Sequence, residues 1–95
     1  MTKRLYATPA LRERLVAMHG SEQGYSAAVE AELQVLTGQT FARGYVNSVI
    51  GGRVPASTPM MLNLVRVIES NPDLTNLEAL ALAAEWFEPR EAVKL

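Results

Sequence analysis

The stretch TGQTFARGYVNSVIGGRVPAS, residues 37–57, combines a short apolar repeat with several glycines and contains no acidic side chain. The apolar positions follow helical spacing: Val46, Val49 and Ile50. The wider segment between Glu32 and Glu69 also lacks aspartate and glutamate. The apolar edge predicts a short helix that packs on a domain, and the missing carboxylates leave its outer edge free to approach an anionic partner.

Length and composition indicate one globular domain over residues 1–95. The chain is 48 % hydrophobic and has no cysteine, which excludes a disulfide framework and a thiolate metal site. We expect a cytoplasmic protein without membrane contact, because the N-terminal residues form no apolar leader and no run is long enough to span a bilayer. The net charge is −1, but residues 1–56 carry six basic and four acidic side chains, and residues 57–95 carry three and six. This asymmetry favours a mildly basic working half.

Capping signals predict an all-α fold of five helices with short connections. The first helix is expected between Thr8 and Gly20 and the second between Ser26 and Gly38. Both glycines suit the left-handed end of a helix. The third helix is expected over about residues 42–50.

The fourth helix begins at Ser57 or the next residue, and the fifth is expected over about residues 75–88. Thr75 and Glu78 at its start have the spacing of a capping box. No run alternates apolar and polar residues for long enough to predict a strand, except that AVKL at residues 92–95 remains a candidate.

The second helix, the turn after Gly38 and the third helix make a helix-turn-helix unit, in which the third helix enters the DNA major groove. Groove entry requires small or polar residues at the outer edge, where the side chains reach base edges. The outer edge has them: Arg43, Gly44, Asn47, Ser48 and Gly51. Arginine pairs with guanine and asparagine with adenine, so Arg43 and Asn47 are suited to reading bases.

An aliphatic pair three residues apart, a glycine–arginine corner and a proline resemble the signature of the λ-repressor-like (Xre/Cro) DNA-binding domains. The matching positions are Val46, Val49, Gly52, Arg53 and Pro55, and the resemblance spans roughly residues 8–88. It implies a compact five-helix domain with the helix-turn-helix at helices 2 and 3. By resemblance, base edges would be contacted by Arg43, Gly44, Asn47 and Ser48, and phosphates by Ser26, Gln39, Thr40 and Arg53.

Several of these residues have an ordinary structural alternative. Arg43 is also explained as a solvated surface charge, and Asn47 as a solvent-facing residue of a helix. Arg53 is also placed to cap the carbonyls at a helix end. Tyr45 has two alternative roles: its ring can pack on the domain, or its hydroxyl can contact a phosphate.

No residue pattern supports an enzyme. His19 is the only histidine, and its position at the end of a predicted helix is explained by the helix dipole. It has neither a nucleophile nor a ligand cluster as a partner, so we predict no catalysis, no metal and no cofactor.

The fifth predicted helix is apolar on nearly every side, whereas a surface helix of a monomer buries one face. We assign the stripe with Leu77 and Leu80 to the monomer core. We assign the second stripe to a homodimer interface: Ala79, Leu82, Ala83 and Trp86. The alternative is that Leu5 and Tyr6, from the N-terminus, cover the second stripe.

These patterns together predict a sequence-specific transcriptional regulator that binds a pseudo-palindromic operator in double-stranded DNA as a homodimer. A small repressor is expected, either of the phage or mobile-element kind or one that regulates its own operon. The alternative is a protein-interaction module or antitoxin-type partner that keeps the fold with weak or no DNA binding.

Overall fold

The computed structural model describes residues 3–42 and 44–91, in which helices and two strands surround an aliphatic core. In chain order the elements are β1 (Lys3–Ala7), α1 (Pro9–His19), α2 (Tyr25–Thr37), α3 (Tyr45–Ile50), α4 (Thr58–Ile68), α5 (Asn76–Ala83) and β2 (Phe87–Glu91). α4 contacts α1, α2 and α5, α1 also contacts α2, and β1 contacts α1 and α3.

Three of the four predicted boundaries of the first two helices are confirmed. α1 starts after Thr8 and ends at Gly20, and α2 ends at Gly38, with φ +71° at each glycine. The start of α2 differs, because the cap is Gly24 and not Ser26. Gly24 caps the helix because glycine readily adopts a left-handed backbone, here at φ +83°. The sequence pattern did not indicate this cap.

Side-chain caps begin the last two helices. The Ser57 hydroxyl accepts a hydrogen bond from the Met60 N–H at 3.3 Å, which confirms the predicted start of α4. Thr75 and Glu78 form the predicted capping box at α5. The pKa of Glu78 is lowered from its ordinary value, first by the hydrogen bond from the Thr75 backbone N–H and then by the Thr75 side chain.

α4 supplies the centre of the core. Its apolar side chains are almost all buried: Met60, Met61, Leu62, Leu64, Val65, Val67 and Ile68. Leu15 of α1 and Leu33 of α2 are both fully buried against the same core. Each such side chain contributes roughly 1.5–3 kcal/mol by leaving water, so these contacts decide how the helices pack.

Arg66 of α4 fastens the turn that leads into α5. Its Nε donates to the Leu74 carbonyl at 2.9 Å, its Nη1 to Asn63 Oδ1 at 2.8 Å, and its Nη2 to Asn76 Oδ1 at 2.7 Å. The planar guanidinium thus joins α4, the turn and the first residue of α5 in one rigid arrangement.

The prediction of an all-α fold is wrong, because β1 and β2 form a two-stranded antiparallel sheet. The register runs from Lys3 opposite Glu91 to Ala7 opposite Phe87. The fifth helix was predicted to reach residue 88 but ends at Ala83, and the chain then turns into β2.

Pro89 contributes to the extended conformation of β2, which follows the turn after Ala83. It disfavours the helical conformation at the residue before it. β1 was not visible in the sequence, because Tyr6 and Ala7 are neighbours and both are buried, which destroys the alternation expected of a strand. The candidate strand at residues 92–95 lies outside the described residues.

Both edges of the sheet are protected. The Leu5 carbonyl accepts from the Ala56 N–H at 2.9 Å, so the segment after α3 covers the outer edge of β1. The backbone N–H and C=O of Leu5 therefore point away from β2. Leu5 and Pro89 are thus a pair of opposed residues that share no hydrogen bond. The missing N–H of Pro89 then falls on the outer edge of β2, where proline discourages pairing with another strand.

The predicted stripes of α5 are reversed. Leu77 is 80 % exposed and Leu80 52 % exposed, whereas Ala79 and Ala83 are buried. The alternative holds in part, because Leu5 packs on the core and lines a groove with Ala83 of the second stripe. Leu82 and Trp86 are half-buried against the core, so two of the four predicted interface residues belong to the monomer interior and two lie at its margin.

Candidate nucleic-acid interface

α3 is held by one buried edge and presents the other to solvent. Val46, Val49 and Ile50 are at most 2 % exposed, whereas Asn47 is exposed and Tyr45 is 36 % exposed. A six-residue helix is about 9 Å long, which fits within a major groove about 12 Å wide. The geometry therefore suits insertion of the outer edge of α3 into a groove.

The predicted start of this helix is wrong by three residues. α3 begins at Tyr45, and Gly44 is its N-cap at φ +79°. The Tyr45 N–H donates to the Ala42 carbonyl at 3.0 Å, which closes a turn before the helix. Gly44 thus belongs to the approach turn, where it supplies a left-handed backbone, and not to the helix. Arg43 beside it lies outside the described residues.

Two hydrogen bonds orient polar side chains around α3. The Tyr25 hydroxyl, at the start of α2, donates to Asn47 Oδ1 at 3.2 Å. Arg53 Nη2 donates to Ser48 Oγ at 3.5 Å, and the Arg53 backbone N–H donates to the Ser48 carbonyl at 3.0 Å. The Arg53 side chain remains exposed, so most of its five N–H donors stay available to a ligand.

Two of the other predicted phosphate contacts, Gln39 and Thr40, lie between α2 and α3. Gln39 and Thr40 are exposed after the end of α2, and Ser26 is half-buried in the first turn of that helix. Gln39 lines a cavity of about 220 Å³ together with Tyr45 and Ser57. The turn, the first residue of α3 and the cap of α4 therefore share one surface, and Ser26 does not line this cavity.

Two arginines that the sequence analysis did not select lie beside the other end of α3. Arg12 of α1 and Arg90 of β2 line a cavity of about 360 Å³ together with Gly51. Arg90 Nη2 lies 3.3 Å from the Gly52 carbonyl oxygen, and its guanidinium carbon lies 4.4 Å from the centre of the Tyr6 ring. Only the strand pairing brings Arg90 here from the acidic half of the chain.

Carboxylates accompany these two arginines but do not bury them. Glu22 lies 3.9 Å from Arg12, and Glu88 lies 3.5 Å from Arg90. All four side chains are between 43 % and 74 % exposed, so the ion pairs contribute little to stability. The end of α3 is therefore flanked by two solvent-accessible arginines, in a cavity that Glu13 and Glu88 also line.

Within residues 3–42 and 44–91, no group of three or more histidine, cysteine or acidic residues is placed to hold a metal ion. None of the helices in this part of the chain is both long enough and apolar enough to cross a membrane. No known protein family, curated protein or solved structure matches the chain. The surface around α3 is therefore the candidate functional site of the described residues.

Proposed function

We propose that this protein is a sequence-specific DNA-binding transcriptional regulator whose α3 enters the major groove. The observation that carries the proposal is the surface of α3, where a buried aliphatic edge fixes a helix that directs Asn47 outward and Arg53 alongside. The segment between Glu32 and Glu69, which contains this surface, has no carboxylate. A groove-binding helix needs this combination of a firmly packed inner edge, polar side chains on the outer edge and no carboxylate on the helix itself.

Phosphate contacts are available on both sides of α3. Arg12, Arg53 and Arg90 flank its C-terminal end, and Gln39 and Thr40 lie before its N-terminal end. Contacts to phosphates position a protein on the duplex, whereas contacts to base edges supply sequence information. We assign the base edges to Asn47 and Ser48, together with Arg43 and Gly44.

A homodimer is the functional form that we propose. About three arginines give one copy too few phosphate contacts for tight binding at physiological salt, and a twofold pair doubles them. Leu77 and Leu80 of α5 supply exposed apolar surface for this contact, and Leu82 and Trp86 contribute only their exposed parts. Because Pro89 blocks the outer edge of β2, helix packing is favoured over strand pairing. The dimer would repress by occupying its operator.

A protein-interaction module is the second candidate, and one observation favours it. Val35 on α2 is 86 % exposed and borders a cavity of about 340 Å³ that Leu36, Val67 and Pro72 also line. A mostly apolar recess beside an exposed aliphatic residue is typical of a contact between proteins. This candidate predicts weak or no binding to DNA.

The test is a mobility shift on the DNA upstream of the protein's own gene, followed by a salt titration. Wild type should bind this duplex more tightly than an unrelated one of the same length. Arg53→Ala should lower the slope of log affinity against log salt by about one unit. Arg14→Ala is the matched control, because Arg14 is exposed on α1 about 200° around the helix from Arg12. Equal slopes for the two variants, or no preference for any duplex, would contradict the proposal.

The dimer has its own test. Leu80→Glu should yield a folded monomer in light scattering at tens of micromolar, with weaker operator binding. Ala17→Glu is the control, since it introduces the same charge on the exposed surface of α1. A wild type that is monomeric and binds the full operator with a one-to-one isotherm would exclude the dimer.

A further inference from the structure

Tyr25 is placed unusually for a buried aromatic residue. Its side chain is 4 % exposed at the start of α2, and the Arg12 guanidinium carbon lies 5.5 Å from the centre of its ring. Its hydroxyl does not bond to the backbone of its own surroundings but reaches Asn47 on α3, 22 positions away in sequence. The partner is an exposed side chain on the outer edge of α3, which is the edge proposed to face DNA.

The hydrogen bond determines which end of the Asn47 amide is available. An asparagine side chain has an oxygen that accepts and an NH₂ group that donates. Because the Tyr25 hydroxyl donates to Oδ1, the oxygen is turned toward α2 and the NH₂ group is left for an external partner. Reading adenine in bidentate fashion requires both the oxygen and the NH₂ group to face the same base edge.

We infer that Tyr25 is a positioning residue that makes Asn47 a hydrogen-bond donor, so that Asn47 reads an acceptor edge and guanine is its preferred base. Guanine presents two acceptors in the major groove, N7 and O6, whereas adenine presents one acceptor and one donor. This inference rests on the proposed function and names the base class that Asn47 recognises.

A role in folding alone would have different consequences. Tyr25→Phe keeps the ring, its burial and the contact with Arg12, and removes only the hydroxyl. The Asn47 amide is exposed, so water replaces the lost hydrogen bond and no buried group is left unsatisfied. The variant should therefore stay folded, while the amide becomes free to turn its oxygen outward.

The experiment uses the full chain and a pool of random double-stranded DNA. Selection with wild type and with Asn47→Ala identifies the base pair whose preference depends on Asn47. At that position wild type should prefer guanine over adenine, and over 7-deazaguanine, by roughly tenfold in anisotropy titrations. Tyr25→Phe should reduce both preferences to within about threefold, and it should change nothing further when Asn47 is already alanine.

Each result decides one claim. Binding of wild type to no duplex overturns the proposed function together with this inference. Sequence-specific binding with an unchanged base preference in Tyr25→Phe overturns only the role of Tyr25, as does an equal loss of affinity for every sequence. The hydrogen bond has a separate readout without DNA, since Tyr25→Phe should shift the Asn47 side-chain amide resonances in a ¹⁵N–¹H spectrum. Unmoved resonances also exclude the proposed positioning.

Discussion

Replacing Gly52 by alanine should destabilise the fold much more than the same change at Gly20, although the two glycines have nearly the same φ. The values are +74° and +71°, both in the left-handed region that disfavours a side chain. The surroundings differ. A Cβ at Gly20 meets nothing within 4 Å, whereas a Cβ at Gly52 lies 2.8 Å from the Ala7 carbonyl oxygen.

The structure separates the two costs. Left-handed backbone costs an alanine about 1–2 kcal/mol, and the stiffer unfolded chain offsets part of that, so Gly20→Ala should lose about 1 kcal/mol. Gly52→Ala adds a collision with a backbone atom of β1, which is held by pairing with β2. Forcing such a contact costs a further 1–3 kcal/mol or so, which brings the total to about 2–4 kcal/mol.

Urea unfolding followed by the fluorescence of the single tryptophan, Trp86, measures both variants. At roughly 4–8 °C per kcal/mol, their melting temperatures should also differ clearly. Asparagine gives a second comparison, because it tolerates the left-handed region and should recover most of the loss at Gly20 but little at Gly52. Equal losses at the two positions would refute the close approach of Gly52 to β1.

Three other changes test separate parts of the fold. Arg66→Met should lower the free energy of unfolding in urea by about 2–3 kcal/mol. Arg66→Lys should lower it nearly as much, because an ammonium cannot reproduce three diverging hydrogen bonds. A lysine variant as stable as wild type would contradict this. The pKa of Glu78 is lower in the folded protein than its ordinary value of 4.5. Its stabilising effect is therefore present above pH 4.5 and is lost as the pH falls through the folded pKa. Glu78→Gln should therefore flatten the acid limb of stability against pH, and an unchanged limb would exclude this contribution. Pro89→Val should restore a donor to the outer edge of β2 and promote association, which light scattering detects; a variant that stays as dispersed as wild type would show that proline does not protect this edge.

The starts of α4 and α5 could be predicted because they depend on neighbouring residues. Ser57 and Thr75 accept hydrogen bonds from backbone groups three positions away, so sequence alone contains both partners. The glycine cap before α3 was missed, because a glycine has no side chain that would indicate a cap. In the sequence, Gly44 is equally compatible with a position inside the helix.

The sheet could not be predicted because its partners are far apart in sequence. Thr8 and Trp86, which meet just beyond the ladder, are 78 positions apart. The same limitation applied to the candidate site. Asn47 and Arg53 follow from the local pattern around α3, but Arg90 reaches that surface only through the pairing of β2 with β1.

The pairing of the first strand with the last also has a kinetic consequence. Closing a chain segment of 78 residues costs about 4 kcal/mol of entropy, and local helix contacts do not repay it. The ladder should therefore form after the helices have collapsed, and be largely absent from the folding transition state. Interactions absent from the transition state govern how fast a protein unfolds and hardly affect how fast it folds. The lifetime of the native state should thus depend on ten strand residues at the two ends of the described chain, whereas the speed of folding should depend on α4 and its neighbours.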